Sequence, residues 1–222
     1  MSNTERARNL AEQTCDLVMG GLTQGMYPEG FFESYNNLVN ERTGEFPDLD
    51  QDYFEEARRQ LLWEFGVYTF HLATTRANWL LRKPAEGRTR PLPDPEALRA
   101  FRDAYAARLD RSFRALGLAE LPDAAFDGQG KTLNDRVTDG TARRYVTLDG
   151  SKDITRRFRH YVTAPNYAQA FGSIIALNLL PYGFDYIHTE ALCRDYSTRL
   201  LALTNQALDT ALENERKAGK EA

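Results

Sequence analysis

The 222 residues hold only two cysteines, Cys15 and Cys193, far apart in the chain. Two such residues cannot build a disulfide framework for a chain this long, nor do they form a Cys-x-x-Cys pair. Cys193 falls in a helical pattern beside Leu192 and Tyr196, where a buried, inert thiol is expected. Histidine is scarce as well, three residues in all, with no His-x-x-x-His and no Glu-x-x-His spacing. The paired Glu-x-x-His pattern of di-iron bundles is therefore missing, and no metal is assigned. Gly-x-Ser-x-Gly is absent too, and Ser173, after Gly172, lies inside an apolar helix as a small packing residue.

Charge of one sign is not in excess. Lys and Arg number 28 against 32 Asp and Glu, a net charge of −4 and a pI near 5.5. Nothing global pulls the chain toward nucleic acid or anionic membranes. Met1 to Gln13 is polar and carries no apolar leader, so no signal peptide is expected and a cytoplasmic location is the default. The longest stretch without Asp, Glu, Lys or Arg is His160 to Phe184. Its apolar part, Phe171 to Leu180, is about half of the roughly 20 residues a bilayer span needs. Asn166, Gln169, Ser173 and Asn178 interrupt the stretch and Pro181-Tyr182-Gly183 stops it, so it reads as the buried middle of a globular domain.

What the chain does have is apolar residues at helical spacing: 42% are hydrophobic, with 12 Phe and 11 Tyr. Ser2 with Glu5 fits a capping box that opens a helix running to about Met19, before Gly20-Gly21. A second runs from Pro28 into Asn40, with Phe31, Phe32, Tyr35 and Leu38 on its apolar side, and ends at Thr43-Gly44. The third gives the strongest signal. Asp50 caps it, acids load its first turn, and no proline appears before Pro84. Phe54, Leu61, Phe65, Tyr68, Leu72 and Trp79 form one apolar stripe along it. Trp63, Val67, Phe70, Ala77 and Leu81 form another on the opposite side, so this helix, about 50–83, should be enclosed by its neighbours.

Residues 84–93 read as a linker. Asp94-Pro95 starts a fourth helix that ends at Leu116-Gly117. Residues 118–150 are loop, with a small β-hairpin near 132–148 as one arrangement and an irregular helix as the other. Helices follow over about 152–162, from Pro165, and from Tyr186 to Arg216, with a frayed tail at 213–222. The expected fold is all-α: one domain over 1–222, a helical bundle of about seven helices around the long third one.

Several features invite a chemical reading. The segment 125–132 matches a loose phosphate-binding loop but lacks the strand before it, so a flexible turn is expected. Acids outnumber bases about ten to three from Glu29 to Glu64, while Arg82 to Arg159 is mildly basic, which suits complementary packing. Arginines of the fourth helix spread around its surface among Asp103 and Asp110 and read as a solvated face, not a nucleic-acid surface.

Glu64, His71 and Asn78 recur every seven residues on one face of the third helix, and Arg82 follows four residues later on the same face. Asp185 and His188, three apart, open the last helix. Were these faces to meet, Glu64, His71, Asp185 and His188 would form a carboxylate–histidine cluster suited to acid–base or metal chemistry. The plainer expectation is a solvated polar face on the third helix. Aromatics suggest a third arrangement: Trp63, Tyr68 and Trp79 meeting Tyr167, Phe171, Tyr182 and Tyr186 near the Pro181 break, around a small apolar ligand.

Glu64, Tyr68, His71, Tyr182, Asp185 and His188 are accordingly the candidate ligand-binding residues. The expected function is non-catalytic binding, of a protein partner, of itself, or of a small apolar ligand. The alternative is a metal-dependent or acid–base enzyme on the carboxylate–histidine cluster. No cofactor can be named.

Overall fold

The computed structural model describes residues 2–25, 27–43, 51–83, 91–119, 153–178 and 186–221. They form seven helices: α1 (Asn3–Gln24), α2 (Tyr27–Thr43), α3 (Gln51–Leu80), α4 (Pro95–Ala115), α5 (Ile154–Thr163), α6 (Tyr167–Asn178) and α7 (Tyr186–Glu221). A two-residue strand pair, β1 (Arg82–Lys83) with β2 (Leu92–Pro93), joins α3 to α4 in antiparallel register. The fold is thus an all-α bundle. Its first strand takes the last two residues expected in the third helix and its second the end of the expected linker; the hairpin region 132–148 and the Gly-rich segment 125–132 fall outside the described residues.

Local signals account for several helix ends. Ser2 Oγ accepts from the Glu5 N–H at 3.1 Å while the Glu5 carboxylate accepts from the Ser2 N–H at 3.4 Å, closing the capping box of α1. Gly20-Gly21 does not end that helix, which continues to Gln24. A Cβ on Gly21 would stand 2.6 Å from Leu203 Cδ1 of α7, so this glycine lets two helices approach instead of breaking one. At α4, Asp94 accepts from the N–H groups of Glu96 and Ala97 ahead of Pro95. The same helix ends in a Schellman motif: Gly117 takes a φ of 66°, Leu118 N–H reaches Phe113 O at 2.8 Å and Gly117 N–H reaches Arg114 O at 3.1 Å.

The centre of the bundle is α3, which touches each of the other six described helices. From Gln60 to Thr74 every residue is buried except half-buried Leu62. Both apolar stripes are therefore covered along the middle of the helix. Its C-terminal end differs: Trp79 is 66% exposed, with the Arg82 guanidinium 4.2 Å from its ring centroid. Ala77 and Leu81 stay buried there, so enclosure is lost on the first stripe only.

The uncharged run is less central than its composition implies. Phe171 to Ile175 is buried in α6, but Val162 and Tyr167 are exposed by 55% and 41%. Absence of charge is thus not the same as burial. The α4 arginines are not simply solvated either. Arg108 holds Asp16 of α1 through two hydrogen bonds, of 2.5 and 2.8 Å, and Arg111 lies 3.7 Å from Glu12. Such exposed pairs contribute little each, at most about 1 kcal/mol. Asn3 with Asp94 at one end, and Asp16 with Arg108 further along, show that α1 and α4 run parallel.

Candidate ligand-binding site

Four helices bring polar side chains into one aromatic layer. Along α3, Glu64, Tyr68 and His71 follow one another within two turns on one side of the helix. Opposite them, Ile154, Arg157, Phe158 and Tyr161 of α5 stand at i, i+3, i+4 and i+7, a single helical face. This places Arg157 among apolar neighbours, where an arginine needs a counter-charge. Glu64 provides it: Arg157 Nη2 stands 3.2 Å from Glu64 Oε1, both side chains at least 98% buried. The Tyr161 hydroxyl donates to Glu64 Oε2 at 3.4 Å. Burial, reinforced by the Glu64 charge, pushes that hydroxyl's pKa well above its ordinary value, so it stays a donor.

Tyr68 continues the layer toward α6 and α7. Its ring stacks on Phe171 at 4.2 Å and meets Tyr161 edge-on at 5.2 Å. Its hydroxyl shares a 2.7 Å hydrogen bond with Ser197 Oγ of α7. Burial raises the pKa of this phenol to about 12.

His71 closes the layer among four aromatic rings. Its ring lies 5.1 Å from Tyr167, 5.9 Å from Tyr161, 6.2 Å from Phe158 and 6.4 Å from Tyr68. The residue is 6% exposed, and neither ring nitrogen has a hydrogen-bond partner among the described residues. Burial drops its pKa from 6.5 to about 4, so the ring is neutral near pH 7, with one N–H donor and one bare acceptor nitrogen. Leaving such groups unsatisfied inside a protein costs about 1–3 kcal/mol each.

That neutral ring carries a pH dependence with a definite sign. The unfolded chain takes up the proton near pH 6.5, whereas the folded one resists it until about pH 4. No penalty exists above that window; stability falls as the pH drops through it, by on the order of 3 kcal/mol in total. Urea midpoints at several pH values should show His71→Phe removing most of this acid-side loss. An unchanged pH profile in the variant would mean that His71 is solvated.

The expected solvated face on α3 is therefore corrected at two positions. Glu64 and His71 are buried, because α5 and α6 cover them, while Asn78 and Arg82 are half-buried. Of the other anticipated residues, Tyr182 and Asp185 fall outside the described residues, and only the backbone of His188, in the first turn of α7, is described. Trp63 borders the layer, stacked on Phe113 at 5.8 Å with the Arg157 guanidinium 5.9 Å from its centroid, whereas Trp79 is exposed. Among the described residues no group of three or more His, Cys, Asp or Glu side chains is placed to hold a metal ion, and no helix is long and apolar enough to cross a membrane. Two clefts open beside α2, with volumes of about 440 and 310 Å³. Arg58 lines both, and its guanidinium is already held by Glu29 at 2.9 Å and Glu55 at 3.1 Å.

Arg157, Phe158 and Tyr161 went unrecognised from sequence as site residues. Their signal was legible all the same, in the one arginine standing on the apolar face of α5. Comparison of the chain with protein-family models, with curated proteins and with solved structures finds no match.

Proposed function

We propose that this protein works by binding, holding a small and largely apolar molecule in the aromatic layer between α3, α5 and α6 without transforming it. The observation that carries the reading is His71: a neutral imidazole, 6% exposed, with four aromatic rings around it and no partner for either nitrogen among the described residues. Apolar walls with a few oriented polar groups are what small-molecule sites offer. Tyr167, whose ring lies 5.1 Å from the imidazole, is itself 41% exposed, so the layer reaches the surface at this residue. Catalysis on a carboxylate–histidine cluster has less support, since Glu64 is committed to Arg157 and Tyr161 and so makes a poor general base.

Native mass spectrometry of untagged protein tests the binding role. A complex heavier than the chain by one small organic molecule is expected, with the added mass lost on unfolding. Thermal melts with naphthalene and 2-naphthol give the second readout. A ligand at a hundred times its Kd stabilises by about 2.7 kcal/mol, a rise of several degrees. A bare chain mass together with flat melts for both compounds would sink the reading.

A further inference from the structure

Four helices supply the described polar groups around His71. On α3 itself they are the Tyr68 hydroxyl, turned to Ser197 of α7, Glu64, two turns away, and the buried Thr74 hydroxyl, one turn on. From α5 come Arg157 and Tyr161, both directed at Glu64; the His160 ring lies 6.2 Å from that of Tyr161. From α6 comes Tyr167, on a helix with no Asp, Glu, Lys or Arg anywhere in its sequence. The Glu64 and Arg157 charges oppose each other at 3.2 Å and leave the described part of the layer without net charge.

An organic acid entering this layer would bring a buried anion with no unmatched cation among the described residues to receive it. Among the described residues a metal ion would find one imidazole and no free carboxylate, and no group of three or more ligands is assembled. An uncharged hydroxyl suits the imidazole, since each is at once a donor and an acceptor. Ring faces on several sides favour a flat molecule that stacks.

We infer that the molecule taken at His71 is uncharged and planar, and carries a hydroxyl or similar hydrogen-bonding group directed at the imidazole. The inference rests on the binding role proposed above. It narrows that role from any apolar molecule to a neutral aromatic alcohol or a close equivalent.

Calorimetric titration of the full chain with naphthalene, 2-naphthol and 2-naphthoate at pH 7.5 separates the two ideas. The hydroxyl compound is expected to bind about tenfold tighter than naphthalene, the gain one satisfied buried hydrogen bond brings, and tighter than the carboxylate by at least as much. In His71→Phe, 2-naphthol and naphthalene should bind alike. A measurement that needs no variant is nitrogen NMR of histidine-labelled protein, where the chain's three imidazoles give few signals. 2-Naphthol should shift the ring nitrogens of one neutral histidine and leave the others in place. Equal binding of naphthalene and 2-naphthol, or tightest binding of 2-naphthoate, overturns this inference while the binding role stands. No binding of any of the three overturns the role itself.

Discussion

Replacing Arg157 with leucine is expected to cost about 3–5 kcal/mol of folding stability, because it leaves the Glu64 carboxylate buried without its counter-charge. The Tyr161 hydroxyl remains as a donor at 3.4 Å, too long and too weak to replace a guanidinium. Glu64→Leu should cost a similar amount, now through an unpaired guanidinium against the Trp63 ring, 5.9 Å from its centroid. The double variant Glu64→Leu/Arg157→Met is the informative one. With both charges gone, neither desolvation penalty remains, and its stability should lie far closer to wild type than either single variant does. Urea denaturation followed by circular dichroism at pH 7 measures all four corners of the cycle. If the single losses are below about 1 kcal/mol and simply add, the pair is solvated and the layer is not the closed, charge-balanced environment described above.

The same pair shows what the sequence could and could not disclose. Helix content and the long central helix were legible because they depend on local signals: Ser2 with Glu5, Asp94 before Pro95, and two apolar stripes between residues 51 and 81. Glu64 and His71 were visible as one side of that helix, but their burial was not. It depends on α5, about ninety residues later, supplying Arg157 and Tyr161. A seven-residue spacing of polar groups looks the same whether it faces water or a partner helix. Gly20-Gly21 misled for a related reason. Glycine is read as a helix stop on its local energetics, yet at Gly21 the space needed by Leu203 decides the outcome. Uncharged composition also overstated the burial of residues 160–170, since burial follows from what packs against a helix: Val162 is left 55% and Tyr167 41% exposed.

The two tryptophans of α3 turn this distinction between pattern and cover into a measurable contrast. Trp63 is 1% exposed, its ring stacked on Phe113 at 5.8 Å with the Arg157 guanidinium at 5.9 Å from its centroid. Truncation to alanine there removes buried aromatic area and opens a cavity, at a cost of about 3–5 kcal/mol. Collapse around that cavity is restricted, because Phe113 also packs against Gly66, where a Cβ would come within 2.7 Å of its Cζ. Trp79 lies on the same helix, 66% exposed, and its main contact is the Arg82 guanidinium at 4.2 Å. An exposed cation–π pair contributes about 0.5–1 kcal/mol, so Trp79→Ala should change stability by about 1 kcal/mol or less. Trp63→Ala should also couple to Arg157→Leu, with losses that do not add, because each removes a neighbour of the other. Trp79→Ala should add to Arg157→Leu without coupling. Comparable losses at Trp63 and Trp79 would contradict a central helix enclosed along its middle and open at its end, and with it the enclosure of His71 one turn past Val67 on that same buried stretch.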